Sequence, residues 1–368
     1  MRGSIDKRGS TWTVRYDEPS DGGRRQRRKG GFRTRREAQE WLAEQTTRIR
    51  DNVYVSPSKL TVRAFFEDAW LPHASRTVRP TIARMYARMV DRYIVPAIGQ
   101  RRLQTPSGGD LNALYRAHEE DGLSASTIKL VHAVCHRAFK DAVRWDRIAR
   151  NPAASADPPR SARARAQAWT ASELSRFLEH VRDDRLFALW RLAATSGMRR
   201  GELAGLTWRA LDLDTARLEV SQQLMPTPGG VSFRPPKSAR SRRTIALDAE
   251  TVEALRTHRG AQLLERDFAA DAYADEDLVF CDELGGPINP QRLTDWFRRH
   301  RKAAGIPIWT LHTLRHTAAT LMLTSGTPVH IVAARLGDTP QIVLGTYAHL
   351  LPQSDEVAAE RVAAALTG

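Results

Sequence analysis

The sequence predicts an α+β protein that is mostly α and built in three parts. Three observations lead there. The 368 residues exceed what one hydrophobic core usually organises. Helical periodicity dominates from about residue 60 onward, while alternating, strand-like runs are confined to the first 35 residues and to a stretch near 217–246. A run with three prolines, Asn151 to Gln167, breaks both periodicities and reads as an extended linker. The resulting division is 1–55, 60–152, a linker at 153–167, and 168–368.

In the first part, "STWTVRYD" (Ser10 to Asp17) alternates as a strand, and the arginine run that ends at Phe32 supplies a return strand. "TRREAQEWLAEQTTRIR" then reads as an amphipathic helix capped by Thr34. The expectation is a small sheet backed by one helix. Residues 1–50 carry 14 basic and 7 acidic side chains, a surplus of 7 out of +15 for the whole chain. Such a surplus favours a polyanionic partner, because each neutralised phosphate releases condensed counterions. A basic ribbon can enter a DNA major groove with Arg24, Arg25, Arg27, Arg28 and Lys29 as its contacts.

In the second part, Thr61 caps a helix that buries Val62, Phe65, Phe66 and Trp70. Pro80 starts another, with Ile82, Met85, Tyr86, Met89 and Tyr93 on one face. A third runs through Ile128, Val131, Cys135, Ala138 and Ala142. These residues describe an all-α bundle.

The third part begins with a capping box, Thr170 with Glu173, leading into a helical hairpin that continues through "DRLFALWRLAATSG". "ARLEVSQQL", "VSFRPP" and "RRTIAL" are then expected to form one small antiparallel sheet. Asn289 and Pro290 open a further helix, Thr310 opens the one containing "LHTLRHTAAT", and "TPVHIVAARLG" leads to "TYAHL".

Composition narrows the function classes. No run of eighteen apolar residues occurs and the N-terminus has no signal-like apolar stretch, so a soluble cytoplasmic protein is expected. The arginines have no large apolar helical face beside them, which disfavours a membrane-surface role. Cys135 and Cys281 lack CxxC spacing, so neither a disulfide framework nor a cysteine zinc site is expected. Phosphate-loop, HExxH and GxSxG motifs are all missing. What stands out is a set of cationic and phenolic groups. His312 and Arg315 are three apart on one helical face, Arg199 follows Gly197 with Glu202 three residues on, and a tyrosine sits between threonine and histidine in "TYAHL".

Four segments, "TSGMRRGELAGL", "PPKSARSRRTIAL", "LHTLRHTAAT" and "RLGDTPQIVLGTYAHL", resemble the ordered catalytic boxes of tyrosine recombinases of the phage integrase type. The resemblance covers residues 170–350 firmly, the helical domain in outline, and the N-terminus as an arm-type DNA-binding module. It implies that Tyr347 is the nucleophile, leaving a 3′-phosphotyrosyl bond and a free 5′-hydroxyl without metal, ATP or another cofactor. It implies that Arg199 and Arg315 grip the non-bridging phosphate oxygens. His312 would share the tyrosine proton or hold a phosphate oxygen, Glu202 would orient Arg199, and Lys237 would protonate the leaving 5′-oxygen. Arg240, Arg242 and Arg243 stand close by, though none has the same motif position.

One position departs from the pattern. The family usually carries His or Trp nine residues before the nucleophile, and here that position is Asp338. Two like charges about 4 Å apart repel by roughly 4 kcal/mol at an effective dielectric of about 20, so a carboxylate cannot simply replace the donor.

The resemblance implies an integrase that cuts and rejoins core-type and arm-type double-stranded DNA, clamps it between the helical and catalytic domains, and works as a homotetramer. A directionality factor and a host DNA-bending protein would be its accessory partners. A C-terminal segment after Pro352 would dock on a neighbouring subunit. Two other readings remain open at this point: a non-catalytic DNA-binding relative, on the strength of Asp338, and a monomeric type IB topoisomerase, which the basic N-terminal module disfavours.

Overall fold

The computed structural model describes residues 3–20, 23–50, 54–160, 167–227, 229–236, 241–307, 310–350, 359 and 362–366. The chain divides into two compact units, residues 1–163 and 164–368. Its architecture is α+β and mostly α.

The first unit opens with an antiparallel sheet of β1 (Gly3–Arg8), β2 (Thr11–Ser20) and β3 (Gly23–Phe32), followed by the helix Arg35–Arg50. Strand β1 is an addition to the sequence reading, whose alternation was legible only from Ser10. Val14 and Tyr16 are buried with Phe32 and Ala38, and Trp41 of the helix packs on Tyr16 at 5.2 Å between ring centroids. Thr34 caps the helix as expected, its Oγ1 accepting from the Glu37 amide at 3.1 Å.

The helical bundle of this unit begins where Thr61 Oγ1 accepts from the Ala64 amide at 3.2 Å. The helix continues through a wider turn, Phe65–Trp70, into Leu71–Thr77. Val62, Phe65, Phe66 and Trp70 are all buried, and the indole Nε1 of Trp70 donates to Asp141 at 3.0 Å, so this ring enters the core without stranding its donor. The helix Ala125–Arg144 buries the five predicted residues together with Val134 and Phe139. Gly108–Glu120, capped by Ser107, completes the layer and was not singled out by periodicity. The Pro80–Met89 helix buries Met89, whereas Ile82 is exposed, contrary to the predicted face. Ala153 and Ala156 also pack on this core and the Asp157 amide donates to Asn112 Oδ1 at 2.8 Å, so the start of the predicted linker belongs to the bundle.

The second unit is organised around Trp169, Phe177, Trp190, Phe280 and Phe297, with Trp169 stacked on Phe297 at 5.5 Å. Burying each such ring contributes about 2–3 kcal/mol. The capping box of Thr170 and Glu173 is present.

Its strands differ from expectation. They form two sheets rather than one: β4 (Leu211–Asp212), β5 (Arg217–Val220) and β8 (Arg243–Ala246) in the first, β6 (Gln223–Thr227) and β7 (Gly230–Arg234) in the second. The run "ARLEVSQQL" therefore divides at Ser221 and Gln222. The cause is tertiary: β6 leaves the first sheet to lie against the short helix Arg200–Ala204. A Cβ at Gly201 would stand 2.8 Å from the Leu224 carbonyl oxygen, and one at Gly205 2.8 Å from the Leu224 nitrogen. Gln222 seals the crossing by donating from Nε2 to the Gly205 carbonyl at 2.8 Å. The 21-residue helix Ala249–Ala269, capped by Asp248, had no counterpart in the sequence reading.

Candidate active site

Three helix termini meet in the second unit. The helix Phe187–Ser196 ends at Gly197, which is left-handed with φ of +65°. Glycine suits this position because a side chain is strained at that φ, and an added Cβ would stand 2.5 Å from Leu336 Cδ2, which would have to shift. The turn delivers Arg199 as the first capping residue of Arg200–Ala204. Opposite it, His312–Thr324 presents His312, Arg315 and His316 on adjacent turns. That helix is tied to the domain's first segment, where Thr317 Oγ1 accepts from the Trp169 amide at 2.9 Å. It begins after Leu311 rather than with a Thr310 side-chain cap; Thr310 contributes only its carbonyl, to the Thr313 amide at 2.8 Å. Finally Val329–Leu336 stops at left-handed Gly337, Asp338 follows, and Thr339 caps Pro340–Tyr347, whose last residue is the tyrosine.

The two arginines are held from behind and joined in front. Arg199 donates through Nη1 to Glu202 at 3.0 Å, and Arg315 donates through Nη1 to the Gly197 carbonyl at 2.6 Å. Their Nη2 groups converge on one carboxylate. Arg199 reaches Asp338 Oδ1 at 2.6 Å, and Arg315 reaches Asp338 Oδ2 at 2.5 Å. Arg315 is buried with 4% of its side chain exposed, whereas Arg199 is 35% and Asp338 19% exposed, so the bridge opens to solvent on the Arg199 side. Desolvation, then the neighbouring Arg199 charge, lowers the pKa of Arg315, with Asp338 opposing both.

Behind Arg199, the Glu202 carboxylate also accepts from Arg243 Nη2 at 2.9 Å, and both side chains are almost fully buried. Burial pushes the Glu202 pKa up, but the hydrogen bonds and charges of Arg243 and Arg199 outweigh it and hold the carboxyl below its ordinary value. Arg243 Nε donates to the Arg335 carbonyl at 2.7 Å. Arg243 is thus committed inside the protein. Lys237 and Arg240 lie outside the described residues; strands β6 and β7, which lead to them, are described.

Tyr347 is 5% exposed and packs with Leu323, Val332, Leu336 and Val343. Its hydroxyl lies 2.5 Å from His316 Nδ1. Burial raises the phenol to about 12. His312, one helical turn before His316, packs edge-on against that ring at 4.6 Å between centroids. Desolvation pulls His312 down to about 4, helped by His316, Arg315 and Arg199 and opposed by Asp338, so its imidazole is neutral at pH 7. The sequence reading gave His312 either a share in the tyrosine proton or a hold on a phosphate oxygen; the Tyr347 hydroxyl meets His316, one helical turn further along. The signal that could have found His316 was its i, i+4 spacing from His312.

Arg199, Glu202, His312, Arg315, Asp338 and Tyr347 are therefore brought together from segments spread over 149 positions. The predicted DNA contacts lie in the other unit. Arg28 pairs across the sheet with Arg15, Arg27 with the buried Tyr16, and Lys29 with Val14. By strand alternation Arg27 shares the inner face and is half-buried, while Arg28 is exposed on the outer one; Lys29, beside the irregularity at Trp12/Val14, is exposed too. The Arg24 and Arg25 side chains lie outside the described residues, although their backbone belongs to β3. Among the described residues no group of three or more His, Cys, Asp or Glu could hold a metal ion, and no helix is long and apolar enough to cross a membrane.

Comparison with known proteins gives a consistent set of likenesses. The family described as "Phage integrase family" matches residues 168–354, and one described as "Arm DNA-binding domain" matches residues 3–49. An integrase of Streptomyces ambofaciens is 28% identical over 327 residues, covering 86% of this chain and 82% of its own. A tyrosine recombinase XerC-like protein of Caldanaerobacter subterraneus subsp. tengcongensis is 28% identical over 268 residues, 68% of each chain. Among solved structures, the Tn1549 transposon integrase in complex with a circular intermediate DNA aligns with a TM-score of 0.69 at 19% identity, over 84% of this chain and 100% of that one. A lambda integrase tetramer bound to a Holliday junction aligns at 0.59 and 19% identity, over 89% of each.

Proposed function

The chain belongs to the phage integrase family, and from that premise we propose that it is a site-specific DNA recombinase that integrates or excises a mobile element through a 3′-phosphotyrosyl intermediate. The observation that carries this reading is the convergence of two anchored guanidinium groups, a neutral imidazole pair and a buried tyrosine at one point. A phosphodiester needs just such a set: a fork of donors for its non-bridging oxygens, where charge grows in the pentacoordinate transition state, and an oxygen nucleophile beside them.

In this reading Tyr347 attacks phosphorus and the 5′-oxygen leaves. Arg199 and Arg315 hold the non-bridging oxygens through their Nη2 groups. His312, neutral at pH 7, donates one N–H to a phosphate oxygen. Glu202 keeps Arg199 in register, and Lys237 protonates the leaving oxygen. Because the phosphotyrosine retains the bond energy, the second transesterification needs no external energy source.

Residues 1–55 serve arm-type DNA, 60–152 and 168–368 serve core-type DNA, and 153–167 link them. The working assembly is a homotetramer on paired sites, with a directionality factor and a host bending protein as accessories; the lambda integrase tetramer on a Holliday junction supports the assembly by analogy.

The decisive experiment is adduct formation on a nicked duplex carrying the junction sequence recovered from the element's own ends. Wild-type protein should be trapped on this DNA, with the modified peptide containing Tyr347. Tyr347→Phe keeps the ring's packing and should bind the duplex while forming no adduct. An adduct mapped to Tyr273, or an undiminished adduct from the Phe variant, would remove Tyr347 from the chemistry.

A further inference from the structure

We propose that His316 is a further catalytic residue, the group that takes the Tyr347 proton as the phosphotyrosyl bond forms. This rests on the reading of Tyr347 as nucleophile. The hydroxyl lies 2.5 Å from His316 Nδ1, close enough for direct transfer, and no other side chain is described in hydrogen-bond contact with it. His316 is half-buried between His312 and Tyr347, with both rings packed edge-on against it. Burial and the adjacent Arg315 lower its pKa, which keeps the imidazole neutral and able to accept. Atoms and charges balance. As Oη bonds to phosphorus its proton passes to Nδ1, the P–O5′ bond breaks, and the 5′-oxygen is protonated from the other side. On rejoining, the 5′-hydroxyl attacks, Oη departs, and Nδ1 returns the proton.

Two variants test it in the adduct assay. His316→Ala should bind the duplex as wild type does, form adduct about 10²-fold or more slowly, and regain rate as free imidazole is added. His316→Gln, which can hydrogen-bond but not carry the proton, should remain slow. Wild-type rates from the Gln variant, or an Ala variant that imidazole does not rescue, would overturn the role. Either failure would leave the wild-type adduct at Tyr347 intact, and so would be distinguishable from failure of the recombinase reading.

A second observation stands independently. The geometry points to Asp338 as an internal occupant of the phosphate site, a carboxylate latch that phosphate must displace. Each arginine spends one Nη on the protein and offers the other to Asp338, and each Asp338 oxygen serves a different arginine. A carboxylate held this way reproduces the two non-bridging oxygens of a phosphodiester in charge and nearly in spacing. Both anions cannot share the same pair of N–H groups, because two like charges in contact repel. Asp338 precedes the capped helix that ends in Tyr347, so releasing it frees the turn on which the nucleophile's helix is mounted. The opening on the Arg199 side gives an incoming phosphate its path.

The test uses inorganic phosphate as the probe, so it needs neither DNA nor Tyr347, and its failure is separate from failure of the recombinase reading. Phosphate affinity is measured by titration at constant ionic strength set with chloride, since surface charge effects are screened alike. The wild-type chain should bind weakly, and Asp338→Asn and Asp338→Ala about tenfold or more tightly. Adding Arg199→Ala to the Asn variant should abolish the gain. If either variant is poorly folded alone, phosphate should restore cooperative melting. Unchanged phosphate affinity in well-folded variants, or misfolding that phosphate does not relieve, would overturn the latch.

Discussion

Glu202 and Arg243 form an ion pair sealed inside the protein, Nη2 to Oε2 at 2.9 Å, with 3% and 5% of their side chains exposed. Arg199 completes a triad around the same carboxylate. Arg199 is thus mounted on a buried charge network.

Removing that carboxylate leaves Arg243 buried without a counter-charge. Glu202→Gln is expected to destabilise the protein by about 3–5 kcal/mol in chemical denaturation. It should also change the acid response. The folded-state pKa of Glu202 lies below its unfolded value, so its contribution is complete above about pH 4.3 and is lost as pH falls through the folded pKa. Wild-type stability should decline in that acid window more steeply than the Gln variant's; parallel declines would exclude Glu202 as a source.

Gly197→Ala places a side chain at φ +65° and against Leu336. A left-handed non-glycine residue costs about 1–2 kcal/mol before the clash is counted. The Tm should fall by roughly 2–8 °C. Because the Gly197 carbonyl anchors Arg315, adduct formation should fall further than stability alone explains, which is checked by assaying well below Tm.

Asp338→His restores a donor where a carboxylate now bridges two arginines. Adduct formation is expected to stay level or rise. A sharp fall would mean that the carboxylate is required in the transition state rather than displaced before it.

The N-terminal fragment 1–60 should bind duplex on its own, with affinity dropping on the order of 10²-fold or more between 50 and 200 mM salt if about five phosphates are neutralised. Removing it should spare cleavage of core sites. Retained arm binding together with lost core cleavage would reject the division of labour.

The tail 354–368 falls mostly outside the described residues. Its deletion should impair tetramer formation more than single-site binding, as read by sedimentation on paired and single duplexes. Intact pairing of sites after truncation would end the docking idea.

Much of this protein was legible in one dimension. Thr34, Thr61 and the Thr170–Glu173 box announced their helices because a cap is a contact between residues two or three apart, present wherever those residues stand. Arg199, Arg315 and Tyr347 could be named because their surrounding boxes carry a strong family pattern. The partners of those residues could not. The bond from Arg199 to Asp338 spans 139 positions, that from Arg243 to Glu202 spans 41, and that from His316 to Tyr347 spans 31. The sequence alone showed a carboxylate where a donor was due, and it named His312 but not His316. Whether that carboxylate meets cations or solvent, which imidazole receives the phenol, and which arginine is buried as a strut depend on how three helix ends pack. Ion pairing over such separations is decided by desolvation and by the few geometries a close-packed interior permits.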